Sequence, residues 1–233
     1  MFRSLGAALS LATLVHTVPA TASAIVIWPI DPVIKAGEQA TALWLENKGT
    51  MPVTMQVRAF AWSQADGSDT LSAQDVIVAS PPIARVEPGK RQLVRIIRRT
   101  PGAAAEGTFR LLIDELPPPP PEGTAAPVAK LAVQMRYSVP LFTYVTAETG
   151  TPRLSVRVSA GPEGRELRVT NTGTRHARLT DLRVVTGSHQ AMVRAGLAGY
   201  VLAGATIAFP LPATGGTVRV AVNGVDQTLV PDA

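Results

Sequence analysis

Residues 129–139 read Ala-Lys-Leu-Ala-Val-Gln-Met-Arg-Tyr-Ser-Val, with an apolar side chain at every second position. This period of two is typical of a β-strand that packs one face on a core, because successive side chains of a strand point to opposite faces. At about 3.3 Å per residue the part from Leu131 to Val139 would extend roughly 26 Å, which is longer than a usual strand of about five or six residues. The predicted apolar face consists of Ala129, Leu131, Val133, Met135, Tyr137 and Val139.

Two interpretations of this strand remain open. It fits an ordinary half-buried strand of a β-sandwich. It also fits an edge strand, whose apolar face and unpaired backbone groups are a template for a second chain. Natural proteins usually protect such edges, so an edge that stays open is expected to bind a partner by strand addition.

The rest of the chain also favours strands over helices. Period-two alternation recurs in residues 41–46, 53–62, 92–97 and 109–113, and again in 153–158, 166–170, 179–185, 206–211 and 217–222. Turn residues separate these segments, and Asn223-Gly224 between two apolar runs is a hairpin signal. The pattern predicts an all-β fold of sandwich type. Residues 146–152 are polar and turn-prone, which predicts a hinge between domains at 25–145 and 153–233, and the two halves show no convincing repeat.

The first 24 residues have the pattern of a secretory signal. Arg3 is the positive charge, residues 5–15 are apolar, and Ala22-Ser23-Ala24 is a cleavage site with small residues. A membrane anchor is the alternative, but the apolar run is short for a bilayer span. We therefore expect a mature chain that starts near Ile25, lies outside the cytoplasm and has no stable membrane insertion.

Composition excludes several classes of site. The chain has no cysteine, which excludes disulfides, thiol nucleophiles and cysteine-based zinc sites. Its net charge of +5 is modest and not clustered with aromatic residues, so nucleic-acid binding is not expected. His176 and His189 do not have a metal-ligand or catalytic spacing and are predicted to be isolated surface residues. We predict no enzyme activity, no metal and no cofactor.

A run of prolines, residues 117–121, must leave the sheet because proline cannot donate to a β-ladder. A stiff polyproline-II loop is the simpler interpretation. The alternative is a ligand for a partner with an aromatic groove.

Three segments stand out by their order and spacing. The first is Pro81-Pro82-Ile83-Ala84-Arg85-Val86-Glu87-Pro88-Gly89, followed by Leu93-Val94-Arg95. The second is residues 109–117, and the third is residues 131–142, which end in a Leu-Phe pair. Together they resemble the PapD-like periplasmic pilus chaperones, because they are similar in turn to that family's signature and the strand after it, to a second family segment and to the donor strand. Their order and spacing make the resemblance specific over nearly the whole mature chain.

The resemblance implies two immunoglobulin-like β-sandwich domains in a boomerang arrangement. It further implies a periplasmic chaperone that stabilises pilus or fimbrial subunits by donor-strand complementation and delivers them to an outer-membrane usher. On this interpretation Leu131, Val133 and Met135, with Tyr137 next on the same face, would fill the groove of an incomplete subunit. The alternative is a secreted β-sandwich adhesin or structural fibre subunit.

The chain departs from the family at one site. The best-known members anchor the subunit's terminal carboxylate with two basic residues, and the resemblance places Asp31 and Pro140 of this chain at those positions. Neither side chain can donate to a carboxylate, which suggests the divergent archaic or alternative branch. Arg110 and Arg136 are the replacement candidates, and the alternative for each is a solvated or internally paired arginine.

Overall fold

The computed structural model describes residues 25–100, 104–118, 134–147, 150–161, 164–211 and 216–231. These residues form strands and connecting turns, and none of them belongs to a helix long and apolar enough to cross a membrane. The predicted signal peptide, most of the proline run and residues 129–133 of the predicted donor strand lie outside this part. The strands are β1 (Ile25–Trp28), β2 (Val33–Ile34), β3 (Ala40–Asn47), β4 (Val53–Ala65), β5 (Ser68–Ser72), β6 (Ile77–Ser80), β7 (Ile83–Val86), β8 (Arg91–Arg98), β9 (Glu106–Leu116), β10 (Arg136–Tyr144), β11 (Leu154–Gly161), β12 (Gly164–Asn171), β13 (Ala177–Thr186), β14 (His189–Val201), β15 (Thr206–Pro210), β16 (Thr217–Val222) and β17 (Val225–Leu229).

The first ten strands form two facing sheets. One has the order β1-β3-β8-β6, and the other has the order β2-β10-β9-β4-β5 with β7 also paired to β4. Alternate residues of both sheets point inward, as the period-two pattern predicted. Leu43, Val94, Leu111 and Leu141 are fully buried in the core between the sheets.

The last seven strands form a second pair of sheets, with orders β11-β12-β15 and β14-β13-β16-β17. Their separate core includes the buried Leu167, Leu179 and Val220. The predicted Asn223-Gly224 hairpin is confirmed, because β16 and β17 pair on either side of it and both turn residues have positive φ, 50° and 85°. The prediction of an all-β chain with two sandwiches is confirmed, whereas the hinge at 146–152 stays a prediction.

A third core joins the two sandwiches. Phe142 from β10 and Trp62 from β4 pack against Tyr200 from β14, and Leu202 and Ala205 complete the cluster. Leu141 and Phe142 are neighbours in sequence but enter different cores, because successive side chains of β10 point to opposite faces. The Leu-Phe pair therefore links the inner core of the first sandwich to the contact with the second.

Candidate functional site

The edge of β10 is open over much of its length. On one side β10 pairs with β9 from Arg136 to Tyr144. On the other side it pairs with β2 only at Phe142 and Thr143. Within the described part of the chain, residues 136–141 therefore present one edge that no other strand covers, which is the geometry that strand addition requires.

Burial along the apolar face of β10 falls steadily toward its N-terminal end. Leu141 is 0% exposed and Val139 is 8% exposed, whereas Tyr137 is half-buried and Met135 is 42% exposed. Met135 precedes the strand, although its carbonyl still accepts a hydrogen bond from Glu115 N at 2.9 Å. The predicted strand 129–139 thus begins, in the described residues, at Arg136, and Leu131 and Val133 lie outside them. Within β10 the apolar face is thus inside the fold at one end and more open at the other, and the placement of Met135 on the same face as Tyr137 stays a prediction, because Met135 precedes the strand.

A cleft of about 520 Å³ lies between the two sandwiches beside this edge. The first sandwich contributes apolar residues of β1 and the segment 136–140 of β10, and the second contributes Leu197 and Tyr200 of β14. Three arginines reach the same cleft: Arg110, Arg136 and Arg178. The cleft is therefore both apolar and positively charged, a combination that suits an extended peptide with an anionic group.

Arg110 is held tightly at the interface of the two sandwiches. Its guanidinium carbon lies 3.7 Å from the centroid of the Trp62 ring and 5.6 Å from that of Tyr200. Its Nη2 donates to Asp69 Oδ2 at 3.4 Å. Burial lowers the pKa of Arg110, and the charge of Asp69 opposes that change. Arg110 and Pro140 are direct partners across β9 and β10, so Arg110 stands beside one of the two positions where the resemblance leads us to expect a cation.

Arg136 has a different environment. Its guanidinium binds Asp114, which also accepts a hydrogen bond from Arg58 at 2.7 Å, and its side chain is 63% exposed. Burial by itself raises the pKa of Asp114, but hydrogen bonds from Arg136 and Arg58 outweigh it, so this pKa lies below its ordinary value. Arg136 is thus an internally paired arginine at the outer end of the cleft. The two candidate anchors line the same cleft but differ in how much of their charge is free.

Asp31, the other position without a cation, lines a neighbouring cavity of about 340 Å³ with Tyr144, Arg175, His176 and Arg178. The sequence prediction that His176 is an isolated surface residue is wrong. Its ring stacks on Phe142 with centroids 3.5 Å apart, and its Nδ1 shares a hydrogen bond with Glu106 Oε1 at 2.7 Å. The partner, Glu106, is 70 residues away in the chain, so local sequence did not carry the signal.

Further contacts tie the two sandwiches together. The Gln64 amide donates to Tyr200 O and accepts from Leu202 N, both at 2.8 Å, so one side chain of β4 pairs with the backbone of the second sandwich. Tyr144 donates its hydroxyl to Glu106 at 2.8 Å and accepts from Arg175 Nη2 at 2.6 Å. Among the described residues, no group of three or more histidine, aspartate or glutamate side chains is placed to hold a metal ion. The site consists of a strand edge and a cleft.

Comparison with curated proteins gives two relatives. The chain is 33% identical over 162 residues to the chaperone protein FimB/FhaD of Bordetella pertussis, over 64% of this chain and 63% of that protein. It is 22% identical over 143 residues to the uncharacterized fimbrial chaperone YbgP of Escherichia coli, over 60% of this chain and 57% of that protein. The matched region thus spans less than two thirds of either relative.

Solved structures share the fold. The chaperone–subunit complex CsuC–CsuE from the archaic chaperone-usher Csu pili of Acinetobacter baumannii contains a chain that superposes with a TM-score of 0.70 at 29% identity, over 90% of this chain and 100% of that one. The CupB2 chaperone of Pseudomonas aeruginosa superposes with a TM-score of 0.63 at 18% identity, over 89% and 100% of the two chains. These matches confirm the expected immunoglobulin-like fold.

A family model completes the comparison. The model for pili and flagellar-assembly chaperones, PapD N-terminal domain, matches residues 25–144, which is more than half of the 233 residues. The resemblance seen in the sequence is confirmed by this match and by the relatives. The chain belongs to the pilus and flagellar-assembly chaperones, a family of binding proteins and not of enzymes.

Proposed function

We propose that this chain is a periplasmic chaperone that stabilises pilus subunits by adding its own strand to their incomplete fold, and then delivers them to an outer-membrane usher. The observation that carries the proposal is the open edge of β10 between Arg136 and Leu141. A subunit strand that lies along this edge would satisfy backbone groups that the chaperone leaves unpaired. The segment before β10, residues 129–135, would continue into the subunit.

Side chains of the same strand supply the apolar part of the interaction. Met135 is exposed in the free chain, and continuation of the strand's period of two would place it on the face of Tyr137. Leu131 and Val133 continue that face by the strand's period of two. Burial of each such side chain stabilises the complex by about 1.5–3 kcal/mol before the cost of ordering. A register shift of one residue would replace them with Lys130, Ala132 and Gln134, so the apolar face also fixes the register.

The partner class is supported by a relative. The CsuC–CsuE structure, which contains a chain 29% identical to this one, is a pre-assembly complex of a chaperone with a tip adhesion subunit. The usher is inferred from the chaperone-usher pathway in which that relative works. Export of this chain is inferred from residues 1–24.

Arg110 is the proposed anchor for the subunit's terminal carboxylate. It lines the cleft beside Pro140 and is packed in a fixed position on Trp62. A guanidinium with several N–H donors can bind a carboxylate while one donor remains on Asp69. Arg136 is the weaker candidate, because Asp114 already neutralises it.

Matched charge substitutions test the strand. Met135→Asp and Val133→Asp would put a carboxylate into an apolar pocket of the subunit, whereas Gln134→Asp would put it on the other face. We expect the first two to abolish co-purification with a pilus subunit co-expressed in the periplasm, and Gln134→Asp to retain it. Met135→Asp and Gln134→Asp should unfold thermally like the wild type, because both side chains are exposed, and thermal unfolding of Val133→Asp is measured beside them. Equal loss of binding by all three variants, or unfolding of Met135→Asp alone, would contradict the proposal.

A further inference from the structure

We propose that Arg178, in the second sandwich, is a second anchor for the subunit's carboxylate and clamps it together with Arg110 of the first sandwich. This inference rests on the proposed function and names a positioning residue for it. The proposed carboxylate site is formed by both sandwiches and not by one domain alone, so the bound carboxylate would connect them.

The charge of the cleft supports an anionic occupant. Of the residues that the structure describes, those that line the cleft include three arginines and no acidic side chain. Arg136 is already bound to Asp114. Arg110 keeps a single long contact to Asp69, which is itself 43% exposed. The positive charge that is available to a ligand therefore comes from Arg110 and Arg178.

The strand edge fixes where an added chain must end. Beyond Leu141 the edge of β10 is occupied, because Phe142 pairs with Val33 of β2 and Phe142 N donates to Pro32 O at 3.3 Å. An added strand that runs along residues 136–141 therefore meets β2 and cannot continue in the sheet. Pro140, near this end point, is the direct partner of Arg110. A chain terminus placed there lies against Arg110, and its carboxylate end faces the cations when the strand runs parallel to β10.

Tyr200 places the second cation at the same point. Arg178 is its direct partner across β13 and β14, and both side chains line the cleft. Arg110 lies 5.6 Å from the centroid of the same ring. Tyr200 is 4% exposed, so it is a rigid spacer between two guanidinium groups that belong to different sandwiches. The backbone of Arg178 is also fixed, since its N–H donates to Asn223 Oδ1 at 2.8 Å and its carbonyl accepts from Asn223 N at 2.9 Å.

The test compares a subunit with its native C-terminus and the same subunit extended by two glycines, which moves the carboxylate. The subunit is one that forms a purified complex with the wild-type chaperone after co-expression. The chaperones are the wild type, Arg178→Gln, Arg178→Lys and Arg157→Gln, the last as a control because Arg157 is an exposed arginine of β11 in the same sandwich. The readout is the dissociation constant of each pair, with thermal unfolding of each free chaperone.

We expect Arg178→Gln to weaken binding of the native subunit about 10-fold or more, as for loss of a hydrogen bond to a charged group. Extension of the subunit should weaken wild-type binding strongly and weaken binding to Arg178→Gln by a clearly smaller factor, because that variant has already lost one of the two contacts to the carboxylate. Arg178→Lys should recover part of the affinity, and Arg157→Gln should bind like the wild type.

Three other outcomes separate the hypotheses. If Arg178→Gln loses as much affinity on extension as the wild type does, Arg178 does not hold the carboxylate, while the strand-addition function stands. If extension changes nothing in the wild type, the terminal carboxylate is not bound in this cleft and the clamp is wrong. If the chaperone variant Met135→Asp binds the native subunit as tightly as the wild type does, the proposed function itself is wrong. Should Arg178→Gln unfold, the same comparison is made with Arg178→Lys.

Discussion

Glu106 and His176 join the two sandwiches: the carboxylate accepts the His176 backbone N–H at 2.8 Å through Oε2 and shares a second hydrogen bond with Nδ1 at 2.7 Å through Oε1. The Tyr144 hydroxyl binds the same carboxylate. The Glu106 side chain is only 4% exposed. One buried side chain of β9 therefore holds the start of β13 and the end of β10 in a fixed relation, and the cleft lies between those elements.

Replacement of this carboxylate should loosen the interface. We expect Glu106→Gln to lower the free energy of unfolding by about 1–3 kcal/mol, because one hydrogen bond to a charged group is lost and a buried partner is left unsatisfied. Glu87→Gln is the control, since Glu87 is exposed and forms a surface pair with Arg85, worth about 0–1 kcal/mol. Denaturant unfolding followed by tryptophan fluorescence measures both, and equal stability of the two variants would contradict a role for Glu106.

Acid should weaken the same contact. Burial raises the pKa of Glu106, but the hydrogen bond and charge of His176 and the hydrogen bond of Tyr144 outweigh it, so its folded pKa lies below its ordinary value. A carboxyl with a lowered folded pKa contributes stability that is present above its unfolded pKa, about 4.3, and is lost as the pH falls through the folded value. Between pH 6 and acid conditions, Glu106→Gln should therefore lose less stability than the wild type in parallel urea titrations. Parallel pH profiles for the two proteins would show that Glu106 does not contribute.

The sequence could predict the strand alternation, the hairpin and the apolar face of β10, because those follow from a local period of two. It did not predict β14, although this strand runs from His189 to Val201. Gly196 and Gly199 interrupt its alternation, and its pairing with β13 shifts register at Leu179, Thr180 and Leu182. Tyr200, which lies in this unpredicted strand, and its cross-strand partner Arg178 of β13 were therefore absent from the predicted site. Contacts between sandwiches depend on residues far apart in the chain, which no local pattern encodes.

A structural repeat was also missed by the sequence comparison of the two halves. Asn47 and Asn171 are both fully buried, and each starts an Asn-x-Gly-Thr segment. Each amide donates to two carbonyls, at 2.7 and 3.0 Å, and each Oδ1 accepts from the glycine N–H two residues later. The repeat is four residues long, too short to stand out by eye, but it closes the equivalent loop in both sandwiches.

Loss of either asparagine should destabilise its own sandwich. Asn47→Ala and Asn171→Ala each leave buried backbone groups without partners, which costs about 1–3 kcal/mol per group. Hydrogen exchange should show faster opening of β3 and β8 in the first variant and of β11 and β12 in the second. Gln190→Ala, at an exposed position of β14, is the comparison with a smaller effect. If either variant destabilises both sandwiches equally, Asn47 and Asn171 do not each stabilise only their own sandwich.

Arg110 and Arg136 give a direct comparison of the two anchor candidates. We expect Arg110→Ala to prevent recovery of the subunit complex, because the carboxylate loses its cation beside Pro140. Arg136→Ala should bind nearly like the wild type, since Arg58 still pairs with Asp114. Affinity measurements with one purified subunit decide this, and thermal unfolding reports any stability lost when Arg110 leaves Trp62. Loss of binding only in Arg136→Ala would reverse the assignment.

Leu141 and Phe142 give the sharpest test of the three-core arrangement, because they are adjacent in β10 and point in opposite directions. Leu141 is 0% exposed within the first sandwich, whereas Phe142 is 2% exposed in the cluster shared with Tyr200. Leu141→Ala should lower the free energy of unfolding by about 2–5 kcal/mol and Phe142→Ala by about 3–5 kcal/mol, since each leaves a cavity.

The two variants should differ in which part of the protein unfolds. Leu141→Ala should destabilise the first sandwich, while Phe142→Ala should uncouple the two sandwiches and leave each core intact. Calorimetry should then show two separated transitions for Phe142→Ala, and hydrogen exchange should locate the fast amides in the first sandwich for Leu141→Ala. A single cooperative transition in Phe142→Ala, with protection unchanged at Tyr200, would show that Phe142 does not couple the sandwiches.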